Sequence, residues 1–349
     1  MIIQLNRRRG FTNFVRLAAA LGVLVSHSYP ISGSGPDPSF GNLPLGEMAV
    51  SVFFVLSGFF IYASSLSNSS VNYFILRTAR LFPALIFVNL SVAVFAAPIV
   101  RGSLGSSQDW LATTGSLNYF FNNSILIFGL QSQIGNILTD VPYTGVVNGS
   151  LWTLPTELRC YFVCAILAIL TKRFKKDLAL YVCFGTLLLV YVGSLANWIN
   201  FSSIVPLENL KLYLIFFSGS LATKLLRFED LRPELWAFSF AIFCLSIFHV
   251  ERDLAPFLFW LVLPLLGSVP LKITRLFDGY SSRDYSYGFY LWAFPVAQLL
   301  MNFRLADSVA SLILLGSFLT FFCAYVSWHC IEKPIMSAAR DSIHKKGKK

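Results

Sequence analysis

LGEMAVSVFFVLSGFFIYASSL, residues 45–66, places 22 residues in a row with one formal charge, Glu47, near the start. Coiled as a helix with a rise of about 1.5 Å per residue, such a run reaches about 33 Å, enough to cross a hydrocarbon core about 30 Å thick. The pattern repeats outward along the chain. Apolar runs at 11–29, 76–99, 150–170, 178–197, 211–226, 234–250, 254–269, 285–303 and 308–331 join 45–66 as expected spans. Several have only about 16 residues, which implies tilt, local thinning or helices that continue past these limits. The chain is 56% apolar and 13% charged, about half the charge of a soluble domain. The expected fold class is an all-α integral membrane protein, a bundle of about ten transmembrane helices forming one membrane domain over residues 1–349. A basic, flexible tail at 335–349 closes it.

Net charge is +10, which raises the question of nucleic acid. The cations instead fall in short clusters between apolar runs: Arg7-Arg8-Arg9, Lys172-Arg173 with Lys175-Lys176, and the tail from Lys345 to Lys349. Clusters of this kind are topology signals facing anionic lipid, so membrane lipid is an expected partner and nucleic acid is not. With the N-terminus inside and ten spans, 21 Lys and Arg face the cytoplasm and four (Arg101, Lys211, Arg252 and Arg304) face out. Both termini are therefore expected in the cytoplasm. Residues 100–149 form the longest connection, placed outside. Within it, Leu117 to Leu130 is weakly apolar but holds Asn118, Asn122, Asn123 and Ser124, which suits an interfacial or re-entrant segment. Counting it as an eleventh span would turn the Lys172–Lys176 cluster outward, so the charge pattern selects ten.

The basic start and apolar run resemble a signal peptide, but Arg16 interrupts the run and no small-residue cleavage pattern follows His27-Ser28-Tyr29. It reads as a retained first helix. Six cysteines lie in or beside apolar stretches without nearby histidines at metal-ligand spacing. Cys160 and Cys164 share a helix face and read as small buried hydrophobes, so no metal is expected.

Ionisable groups within spans are costly and become candidates for function. Arg16 and His27 lie eleven residues apart in the first span, about 16 Å and three turns, on roughly one face. Each alone also fits an anchor: a snorkelling arginine and an interfacial histidine. Arg77 and Arg80, at i and i+3, share the face of the third span at its cytoplasmic start. They fit a phosphate clamp or a pair of topology anchors. Trp152 and Glu157, in Gly149-Ser150-Leu151-Trp152-Thr153-Leu154-Pro155-Thr156-Glu157, open the fourth span from outside. They suit a sugar or an oriented histidine, or equally a belt tryptophan and a glutamate paired with Arg159. His249 stands at a span end with no such partner motif.

Taken in order, these motifs resemble the membrane-bound acyltransferase family 3. The resemblance runs from Arg16 and His27 through Ser51-Val52-Phe53-Phe54-Val55-Leu56-Ser57-Gly58-Phe59 and Arg77-x-x-Arg80 before Pro83. It continues with Ser150-Leu151-Trp152-Thr153-Leu154-Pro155-Thr156-Glu157 and Tyr285-Ser286-Tyr287-Gly288-Phe289-Tyr290-Leu291-Trp292, and ends at Glu332-Lys333-Pro334. Where many members carry histidine this chain has Ala293, and no esterase-like domain is appended. The resemblance implies an O-acyltransferase of the bacterial inner membrane, moving acetyl from cytoplasmic acetyl-CoA to a hydroxyl of an extracytoplasmic glycan or glycolipid. It implies His27, Arg16 and Glu157 as the catalytic group. Arg77, Arg80, Ser57 and Gly58 would hold the donor, and Trp152, Tyr287 and Trp292 the acceptor. A glycolipid transporter or flippase, whose charges would line a path, is the competing expectation.

Overall fold

The computed structural model describes residues 9–96, 115–127, 129–198, 200–201, 204–225, 252–253, 262, 269, 271–280 and 283–346. The regular structure of the described chain is helical apart from a short ribbon, Ser39–Phe40 against Leu43–Pro44. Its helices are α1 (Arg9–Ile31), α2 (Leu45–Ser67), α3 (Ser70–Ser91), α4 (Ser116–Ile125), α5 (Leu154–Phe174), α6 (Leu178–Leu195), α7 (Leu207–Leu225), α8 (Leu271–Arg275), α9 (Ser286–Asn302), α10 (Val309–Ser327) and α11 (Lys333–Lys346). A π turn, Val92–Ala96, prolongs α3; another, Trp328–Glu332, joins α10 to α11; and a 3-10 turn, Gly149–Thr153, leads into α5.

Six of these helical stretches are long and apolar enough to cross a membrane: Arg9–Ile31, Leu45–Ser67, Ser70–Phe95, Gly149–Phe174, Leu178–Leu195 and Val309–Lys345. The protein is a multi-pass, all-α membrane protein. Two further expected spans are helices of 19 and 17 residues, α7 and α9. The expected spans 234–250 and 254–269 lie outside the described residues apart from Val262 and Val269, as does His249. The third span begins at Ser70, earlier than expected, and the last helix runs on past 331 to Lys346. The weakly apolar stretch at 117–130 is helical only to Ile125; Leu126, at φ 62°, turns the chain out of the helix.

The chain forms two compact units, each assembled from separate stretches: Met1–Arg16, Ser39–Phe74 and Thr156–Arg283 in the first, Leu17–Pro38, Ile75–Pro155 and Asp284–Lys349 in the second. The first is centred on α2, whose start is set by Pro44 and whose end is closed by Asn68, the side chain of which donates to Ser64 O at 2.8 Å. Fourteen residues of α2 are buried, against α7 in particular. In lipid the hydrophobic effect does little to hold helices together, and close backbone approach takes its place. A Cβ on Gly58 would lie 1.8 Å from Phe216 O, and one on Gly219 2.1 Å from Val55 O. Ser220 Oγ donates to Gly58 O at 3.1 Å across the same seam. At one end of this unit Lys211, 1% exposed, meets Glu47 at 2.7 Å and Glu208 at 3.5 Å, while Arg252 meets Glu47 at 2.6 Å. At another, Lys172 Nζ closes the end of α2 by donating to Ser65 O and Asn68 O, and Lys224 pairs with Asp177 at 2.8 Å.

The second unit is built on α9 and α10. Gly288 lets α9 approach α10, since a Cβ there would stand 3.3 Å from the Ala324 backbone and 3.1 Å from Glu332 Oε1. Ile31, Phe294, Val296, Ala297, Leu300 and Leu312 share one apolar cluster. The irregular chain before Gly149 is packed and satisfied: Ile134, Leu138, Val141 and Val147 are buried. Gln298 Nε2 donates to Tyr143 O and Val146 O at 2.8 and 2.7 Å. Asn123 both accepts from Gln131 N and donates to Gln131 O, which supplies partners to backbone that no helix satisfies.

Candidate active site

His27 lies in the second unit, one turn before the end of α1. Its ring stands edge-on to Phe294, centroids 5.5 Å apart at 71°. Among the described residues it forms no hydrogen bond. Phe294 is fixed from the other side. Tyr143 meets it at 5.8 Å, and a Cβ at Gly149 would fall 2.7 Å from its ring, so only glycine allows the chain to pass there. Asn148 Nδ2 donates to Leu291 O at 3.1 Å, Tyr290 OH donates to Ser150 O at 2.5 Å, and Tyr290 shares a 2.8 Å hydrogen bond with Thr153. The motif from Ser150 to Thr153 and the motif from Tyr285 to Trp292 are thus two halves of one packing arrangement beside His27.

Trp152, on the 3-10 turn, is 44% exposed. Trp292 packs edge-on to Phe87 at 5.8 Å, and its indole N–H is buried without a hydrogen-bond partner among the described residues. Ala293, at the position where the resemblance would place histidine, is buried beside Phe294. Tyr287, expected with Trp152 and Trp292, instead keeps company with the arginines: its OH donates to Leu81 O at 3.0 Å and its ring lies 5.5 Å from the Arg80 guanidinium.

Arg80, also in the second unit, binds two carboxylates, Asp284 at 2.7 Å and Glu332 at 3.2 Å. A second aromatic ring, Trp328, stands 5.8 Å from it. Arg77, one turn earlier, forms no ion pair with the described residues, and its Nε has no hydrogen-bond partner among them. The two arginines share a helix face and have unlike surroundings.

Arg16, Ser57, Gly58 and Glu157 lie in the first unit. Arg16 Nη2 donates to Ser57 Oγ at 3.3 Å, Ser57 Oγ donates to Glu157 Oε1 at 3.5 Å, and Tyr161 OH donates to the same oxygen at 2.7 Å. The glutamate therefore looks toward Ser57 and Tyr161, while Arg159 turns to Tyr213 at 3.4 Å. Gly58 lies where α2 meets Phe216, whose O would stand 1.8 Å from a Cβ there. Among the described residues no three or more His, Cys, Asp or Glu side chains group as metal ligands do.

Sequence reasoning assigned no role to Phe294, Tyr161, Asp284 or Glu332, the last named only as part of the closing motif. Glu332 had a usable signal: it is an acid at the close of an apolar run, under the same rule that singled out Arg16 and His27. Phe294 had none, because phenylalanine is common throughout the chain.

A family model described as an acyltransferase domain, Acyl_transf_3, matches residues 9–329. The chain is 29% identical over 342 residues to a protein named O-acetyl transferase from Shigella phage Sf6, covering 94% of this chain and 96% of that one. It is 28% identical over 249 residues to Nodulation protein 10 of Rhizobium leguminosarum bv. viciae, covering 68% of this chain and 59% of that protein. No solved structure matches.

Proposed function

The chain belongs to the acyltransferase 3 family and is a membrane enzyme that transfers acyl groups, and from that premise we propose that it moves acetyl from cytoplasmic acetyl-CoA to a carbohydrate hydroxyl outside the membrane. The observation that carries this reading is His27, whose ring packs on Phe294 but has no hydrogen-bond partner among the described residues. A neutral imidazole is suited to general-base work. Neutral His27 takes the proton of the acceptor hydroxyl, and the oxygen attacks the thioester carbonyl. The new C–O bond forms as the C–S bond breaks, and the CoA thiolate leaves and recovers a proton. Arg77 holds the donor's phosphates. Trp152 and Trp292, one exposed and one with an uncommitted N–H, meet the acceptor. Arg16, three turns before His27 on α1, is held by Ser57.

The orientation places both termini in the cytoplasm of a bacterial inner membrane. The Lys and Arg distribution supports it, and helix-end contacts within each unit support the alternation of spans on which it rests. Glu47, Glu208, Lys211 and Arg252 meet one another, and alternation of spans puts all four outside. Lys172 meets Ser65 and Asn68, and Arg80 meets Asp284 and Glu332; alternation puts both groups inside. In a background freed of native cysteines, Ser34→Cys should react with an impermeant maleimide in intact cells and Ser342→Cys only after permeabilisation. The reverse pattern would refute the orientation. Deleting the gene should remove acetyl groups from a surface glycan, read by mass spectrometry, and an unchanged acetyl content in every glycan would contradict the acceptor class.

A further inference from the structure

The family resemblance gives Arg77 and Arg80 the same task, but their surroundings divide them. Glu332 closes the π turn of the last long helix and is buried. Its Oε1 accepts from Ser327 Oγ at 3.0 Å and its Oε2 from Arg80 Nη1 at 3.2 Å. Asp284 takes Arg80 Nη2 at 2.7 Å and is itself fixed by Ser286, whose Oγ donates at 2.5 Å. Tyr287 and Trp328 stand within cation–π distance of the guanidinium. A π turn inserts one residue into a helix and is often retained where side chains must be aimed; here it brings Trp328 and Glu332 to one cation. A phosphate arriving at Arg80 meets two carboxylates already in place. At Arg77 it meets a guanidinium with no ion pair to the described residues.

We propose that Glu332 and Asp284 are positioning residues that hold Arg80 as a brace between the start of α9 and the last helix, leaving Arg77 to bind the donor's phosphate. This rests on the donor reading above. The brace acts on turnover because α9 also carries Phe294, the ring against His27. Loss of the brace lets α9 shift and misplaces the base, while the donor's phosphate contact survives. A misplacement of about 1 Å is enough to cost about 10²-fold in rate.

Steady-state transfer in membranes, with acetyl-CoA varied and rates normalised to folded protein, separates the roles. Arg77→Ala should raise the donor KM about tenfold or more, as loss of a charge-assisted hydrogen bond does. Glu332→Gln should lower kcat about tenfold or more with the donor KM within about twofold of wild type. Asp284→Asn should act in the same direction and serves if Glu332→Gln fails to reach the membrane. Adding Glu332→Gln to Arg80→Ala should cost nothing beyond Arg80→Ala alone, because the pair acts as a unit. A purely structural carboxylate would lower the amount of folded protein and leave kcat per folded molecule at the wild-type value, which overturns the proposal. So does an Arg80→Ala variant whose donor KM rises as far as that of Arg77→Ala with kcat retained. If Arg77→Ala leaves the donor KM unchanged while Glu332→Gln still lowers kcat, the brace stands and the donor reading falls.

Discussion

Replacing His27 with alanine should reduce acyl transfer by about 10²–10⁴-fold, the range that loss of a general base produces. The protein should still insert and fold. The ring packs against Phe294, and no hydrogen bond to the described residues is broken when it goes. Binding of the donor should be close to normal, because the donor's phosphates are assigned to Arg77. A histidine that merely packed at a helix end would give a small loss proportional to the loss of folded protein. Retention of more than about a tenth of wild-type transfer, less than the smallest effect of that range, would sink the assignment. His344→Ala is the control: it is exposed on α11 and should leave the rate unchanged.

The second large effect is on folding. Adding one methyl group at Gly58 puts a carbon 1.8 Å from Phe216 O, and the obstacle is backbone rather than the tip of a flexible side chain. Helices α2 and α7 must separate, with loss of the contacts that close approach gives them. Overpacking of this kind costs about 1–3 kcal/mol or more. Gly58→Ala should therefore lower the thermal midpoint in detergent by several degrees and reduce the monodisperse fraction. Gly219→Ala, on the same seam, should do likewise, and the two should combine less than additively because the first already parts the helices. At Gly185, on α6, an added Cβ meets nothing within 4 Å, so Gly185→Ala should match wild type. Equal midpoints for Gly58→Ala and Gly185→Ala would show that the seam bears little of the stability.

Much of this was written in the chain at the level of helices. Residues 45–66 form α2 nearly as read, because length and apolarity alone decide a span. The ends were less legible. The third span starts at Ser70 and the last helix runs to Lys346, since polar residues continue a helix wherever backbone hydrogen bonds favour it. At the site, Arg16 and His27 were visible because charge within an apolar run is costly. Their partners were not. Whether Glu157 faces a histidine or Tyr161, and whether Arg80 faces a phosphate or two acids, depends on which helices pack side by side. The Tyr285–Trp292 motif shows the same limit. Its Gly288 and Tyr290 serve packing, and Tyr287 belongs with Arg80. An aromatic motif near a span end looks the same in sequence whether it grips a sugar or a neighbouring helix.

We propose that acetyl leaves a cytoplasmic thioester and arrives on a carbohydrate across the membrane. This transfer is tested by inverted membrane vesicles that enclose the acceptor glycan and are supplied with acetyl-labelled acetyl-CoA outside. Label is expected on the enclosed glycan with free CoA released outside in equal amount, and both should be lost in His27→Ala vesicles carrying the same quantity of protein. Label absent from the glycan with acetyl-CoA left intact, while an acylated or glycosylated lipid crosses the membrane at the wild-type rate in His27→Ala vesicles, would contradict it and mark the protein as a transporter.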